Sequence, residues 1–140
     1  MTENLERMPP FLKVITASTL APLAFITASL LPGGSVNVFG HPISPRQWWT
    51  SGAGLVILVA SFPLIVSGVL MLKRVRAGAV LYVIAMGALS GTIPLVSHLT
   101  GATSRVGSWN VTVANIAVDV ALGGYLFMSP AVREYFRASD

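Results

Sequence analysis

The chain has 140 residues, 54% of them hydrophobic and only 10% charged, with a net charge of +4 and no cysteine. A soluble domain carries roughly 25% charged residues, so this composition excludes a free-standing water-soluble globule and a disordered linker. The missing cysteines exclude disulfides, thiolate metal sites, iron–sulfur clusters and thiol redox relays.

Four apolar runs approach the length of about 20 residues that a membrane-spanning helix needs. The first, 12–31, carries a stripe of small residues at Ala17, Ala21, Ala24 and Ala28 and stops at Pro32-Gly33-Gly34. It exceeds the roughly 7–15 apolar residues of a signal peptide, and no A-x-A site precedes Pro32, so it reads as an uncleaved anchor. The external loop 32–48 follows. Within it Ser35-Val36-Asn37-Val38-Phe39 alternates between glycines and predicts a strand or small hairpin at the membrane surface. The second span, 49–72, ends in the basic loop 73–76, and the third span covers 77–99. Loop 100–110 is rich in Gly, Ser and Thr and reads as irregular, with Asn110 as the N-cap of the fourth span, 111–128. In the tail, 129–140, Ser129-Pro130 opens a short helix. Its Arg133 and Arg137 share a face that attracts anionic headgroups.

Orientation follows from the short basic loops. Arg7, Lys13, Lys73, Arg74, Arg76, Arg133 and Arg137 fall on one side, whereas only Arg46 and Arg105 fall on the other. Trp48, Trp49 and Trp109 mark the outer interface, and Tyr82, Tyr125 and Tyr135 lie toward the inner one. The expected fold is an all-α up-down-up-down bundle of four transmembrane helices forming a single domain, residues 1–140, with both termini cytoplasmic. A multi-pass protein of the cell membrane is expected, a bacterial inner membrane best fitting. The basic residues are a topology signal, so no nucleic-acid partner is implied.

Asp119 is the one acidic residue inside a span. A charge at a helix centre costs roughly 2.5–3.5 kcal/mol on insertion scales, so it must face the bundle interior, a cavity or a partner. Thr112, Asn115 and Gly123 stand on the same side of the helix. Two readings stay open: a proton-, cation- or substrate-binding carboxylate in a transport path, or a hydrogen-bonded lock within the bundle or against a partner.

The third span places Gly87, Ser90, Gly91, Pro94 and Ser97 or His98 at helical spacing, and Gly87 to Gly91 matches GxxxG, a close-packing motif. Gly123 joins these as a packing residue. Pro22, Pro63 and Pro94 each fall within a span and remove a helical hydrogen bond. His41 and His98 are the candidate metal ligands, but two histidines without a nearby carboxylate fall short of a ligand set, so neither metal nor cofactor is expected. No nucleophile–base constellation and no phosphate-binding glycine loop is visible.

The stretch from Ser67 to Gly78, a helix, a basic turn and a helix start, resembles the corresponding part of DoxX-like membrane proteins. That resemblance implies a small membrane protein of redox or stress context. Small multidrug-resistance transporters are also four-span chains, but their essential acid lies in the first helix, whereas here it lies in the fourth. The sequence as a whole points to a non-enzymatic protein that acts by helix packing with a membrane partner or with its own copies, as an accessory subunit, assembly factor or immunity-type protein. The alternative is an oligomeric transporter or channel that uses Asp119.

Overall fold

The computed structural model describes residues 2–31, 35–38, 41–101 and 105–137; residue 1, the expected Pro32-Gly33-Gly34 stop, residues 39–40, 102–104 and 138–140 lie outside the described residues. The chain is mainly helical. Four stretches are long and apolar enough to cross a membrane: Pro10–Ser29, Ala53–Leu72, Ala77–Thr100 and Trp109–Met128.

The first of these is broken. After α1 (Thr2–Arg7), the chain forms α2 (Pro10–Ser18) and α3 (Ala21–Ser29) rather than one continuous helix. Pro22 lacks the N–H that would bond back to Ser18, and its ring crowds that carbonyl. Hydroxyls cover the neighbouring carbonyls: Ser18 Oγ donates to Ile15 O and Thr19 Oγ1 to Thr16 O, both at 2.7 Å. Pro63 and Pro94, by contrast, sit inside uninterrupted helices.

A hairpin follows. β1 (Val36–Val38) pairs antiparallel with β2 (His41–Ile43), with Val36 opposite Ile43 and Val38 opposite His41. Its buried Val36, Val38 and Ile43 join Trp48, Ala53 and Val96 in a small core. Trp48 is therefore 2% exposed and edge-on to Phe25, not displayed at a lipid interface as the belt pattern suggests. The hairpin covers it. Both neighbouring tryptophans belong to a separate short helix, α4 (Pro45–Thr50), capped by Ser44 Oγ accepting from Gln47 N. Gly52, at φ +83°, turns the chain into α5 (Ala53–Leu72).

The tight turn after α5 places Arg74 at φ +60° and leads into α6 (Ala77–Thr100). A Cβ on Gly78 would come within 2.8 Å of both Leu70 Cβ and Met71 N, so only glycine lets α6 start this close to α5. α7 (Arg105–Met128) begins earlier than the sequence suggests, so Asn110 lies within the helix and is not its N-cap. Nothing from Arg105 to Asn110 forbids the helical ladder; Gly107 only weakens it by about 1 kcal/mol. The last helix, α8 (Pro130–Arg137), buries Val132, Tyr135 and Phe136.

α6 packs along α5 on one side and α7 on the other. The main core joins Met8, Leu12, Ile15, Met71, Tyr82 and Tyr135, bringing the start of α2, the end of α5, the start of α6 and α8 to one end of the molecule. We call this the terminal end. Asn4 Nδ2 donates to Leu72 O and Tyr135 Oη to Met71 O there. The opposite end is the hairpin end.

Candidate functional site

Asp119 lies on α7 facing α6. It is 7% exposed, and its Oδ2 accepts a 2.7 Å hydrogen bond from Ser90 Oγ. Its Oδ1 is buried and has no hydrogen-bond partner among the described residues. Buried polar atoms are nearly always paired, so this oxygen marks the middle of the bundle as a site with unused hydrogen-bonding capacity. The stripe predicted on α7 turns inward as a unit: Thr112 and Gly123 are buried with Asp119, and Asn115 is half-buried. Tyr82 of α6 is buried near Ser18 of α2, at the level where the first span breaks.

A cavity of about 510 Å³ runs from this level toward the hairpin end. Ser90 and Asn115 line it together with Ser18, Pro22 and Ser61, while Phe25, Trp48, Ile57 and Met86 supply apolar wall. Asp119 stands behind Ser90. The lining is dominated by apolar atoms with a few convergent polar groups, the usual make-up of a small-molecule site.

The small residues of α6 do not all serve one surface. Ser90 and Ser97 are buried toward the bundle. Gly87, Ala88 and Gly91 are exposed on the opposite face, with Val80, Ile84 and Leu95 in line with them. A Cβ at Gly87 or Gly91 would meet nothing within 4 Å, so neither glycine is needed for packing within the chain. Gly123 differs: a Cβ there would touch Val83 Cγ2 at 3.4 Å, at the α6–α7 contact. Sequence reasoning also missed Gly68, where a Cβ would overlap Thr19 Oγ1; it lets the broken first span rest directly on α5.

His41 and His98 are both exposed. Among the described residues, no group of three or more His, Asp or Glu is placed to hold a metal ion.

No family model matches the chain, and neither a curated protein nor a solved structure shows significant similarity to it.

Proposed function

We propose that this is a non-enzymatic multi-pass membrane protein that works by packing the open glycine face of α6 against a helix of a partner membrane protein. The observation that supports it is the exposed Gly87–Ala88–Gly91 surface, with open space above both glycines. Lipid-facing helix surfaces gain nothing from missing side chains, whereas small residues let two backbones approach closely and gain dispersion contacts. In this reading the four spans alternate in direction and both termini are cytoplasmic, in keeping with the seven basic residues at the terminal end. Purification from native membranes in mild detergent should recover a partner in fixed stoichiometry. Gly87→Ile with Gly91→Ile should lose that partner while the chain stays folded. Retention of the same partner by the double variant would overturn the proposal.

A second reading is favoured by the buried Asp119 Oδ1, which has no hydrogen-bond partner among the described residues. As an oligomeric transporter or channel, the protein would bind a proton or cation at Asp119, with Ser90 and Asn115 beside it. Flux in proteoliposomes should then fall with Asp119→Asn at unchanged assembly; undiminished flux would sink this role.

A further inference from the structure

The terminal end carries a pocket of about 590 Å³ between the α5–α6 turn, the end of α7 and α8. Five cations line it: Lys73, Arg74, Arg76, Arg133 and Arg137. No carboxylate lines it among the described residues; Glu134 borders a neighbouring hollow that shares Arg74 with this pocket and is also lined by Tyr135. We infer that this pocket binds a phosphate-bearing anion, and that its headgroup-height position suits the phosphate of an anionic phospholipid.

Three features distinguish a built site from a generally basic surface. Arg74 is only 8% exposed, and its guanidinium carbon lies 5.1 Å from the centroid of the Tyr135 ring. Tyr135 is itself tied to Met71 O at 3.1 Å, so this cation is held in place by the folded core. Arg74 also adopts φ +60°, a conformation costly for a residue with a Cβ. On the other wall, Arg133 Nη2 donates to Met128 O at 2.9 Å, fixing its guanidinium over the end of α7. Arginines present a planar fork of donors that matches phosphate oxygens in pairs. The third feature is apolar: Val75, Leu126 and Phe127 line the pocket beside the cations. Val75 and Phe127 are each 40% exposed, a surface along which an acyl chain can run while its phosphate sits among the arginines. Basic pockets between helix ends are a recurrent mode of anionic-lipid recognition.

The test uses the full chain in nanodiscs of phosphatidylcholine, with or without phosphatidylglycerol, read by native mass spectrometry of the lipids that stay bound after release. Wild type should retain phosphatidylglycerol in preference to phosphatidylcholine. Arg133→Gln with Arg137→Gln should lower that retention on the order of tenfold, since each basic residue near the surface contributes appreciably to anionic-lipid attraction. Arg7→Gln with Lys13→Gln removes the same charge at the same end, outside the pocket, and should change it little. Equal losses in the two double variants would overturn the site and leave only surface attraction. Inorganic phosphate is titrated into the phosphatidylcholine discs in parallel. Saturable phosphate binding that the Arg133→Gln, Arg137→Gln variant loses would assign the same pocket to a soluble phosphate. Absence of both phosphate binding and selective lipid retention in wild type would overturn the inference. Arg133→Lys with Arg137→Lys keeps the charge and should lose part of the selectivity, which a purely structural role for α8 does not predict.

Discussion

The two faces of α6 have opposite fates. The inner face, with Tyr82, Ala85, Ser90, Val96 and Ser97, is buried against its neighbours and includes the Ser90–Asp119 hydrogen bond. The outer face, with Val80, Ile84, Gly87, Ala88, Gly91 and Leu95, is exposed along its length. Both faces contain small residues, but inside they allow contacts that exist, whereas outside they leave a shallow trough that no described residue fills. Small size alone therefore does not reveal whether a helix surface has found its partner within the chain. The neighbouring atoms do.

The contrast predicts graded effects. The largest belongs to Tyr82, 2% exposed in the main core. Tyr82→Ala should cost about 3 kcal/mol in a reversible unfolding assay, whereas Ile84→Ala, two residues away and 62% exposed, should leave stability within about 0.5 kcal/mol. Similar costs at both positions would erase the distinction between the faces. Glycine gives the next contrast. Gly78→Ala forces a Cβ into the α5–α6 contact and should destabilise by about 1–3 kcal/mol. Gly91→Ala meets open space and should be neutral or stabilising by up to about 1 kcal/mol, because alanine is the better helix former.

The polar contact sharpens the inner face further. Ser90→Ala deprives the buried Asp119 Oδ2 of the Ser90 hydroxyl donor and should cost about 1–2 kcal/mol. Asp119→Asn keeps an amide oxygen able to accept from Ser90, so it should cost less than Ser90→Ala. A reversed order would mean that the carboxylate's charge, not this hydrogen bond, holds α6 and α7 together.

The smallest effect concerns the foot of the bundle. Burial pushes the Tyr135 hydroxyl above its ordinary pKa of 10.0, against the opposing pull of the hydrogen bond that its oxygen accepts from Arg74 and of that cation's charge. The neutral phenol is the form that donates to Met71 O. The raised value means that this stabilisation is complete below pH 10 and is lost as the pH climbs through the folded-state value. Hydrogen exchange of α8 should accelerate above pH 10 more than base catalysis alone explains, and Tyr135→Phe should abolish that excess. An excess that persists in Tyr135→Phe would assign it to another group.

Much of this was legible in the sequence. Runs of apolar residues mark the four membrane-length helices, and the alternation around Val36 and Val38 marks the hairpin, because both signals are local. The inward turn of Thr112, Asn115, Asp119 and Gly123 was legible too, since the cost of a charge in lipid leaves few alternatives. What the sequence could not show depends on contacts between distant segments. Ser90 and Ser97 share a helical repeat with Gly87 and Gly91, yet the repeat does not state which side α7 will take. Trp48 carries the composition of an interface residue, and only the hairpin folding over it makes it core. The break at Thr19 was signalled by Pro22, but Pro63 and Pro94 carry the same signal in helices that continue. Asn110 has the right chemistry for a cap, but the helix passes it because nothing before it interrupts the ladder.

In the proposed function the open face of α6 meets a protein helix, not lipid alone. Site-specific photo-crosslinking in native membranes addresses it directly, with Ile84→benzoylphenylalanine on the glycine face and Val120→benzoylphenylalanine on the exposed side of α7. Both positions are more than half exposed, at 62% and 69%. A discrete protein adduct is expected from position 84, none from position 120, with loss of the first when Gly87→Ile and Gly91→Ile are added. Lipid adducts alone at position 84, or the same protein adduct from both positions, would contradict it.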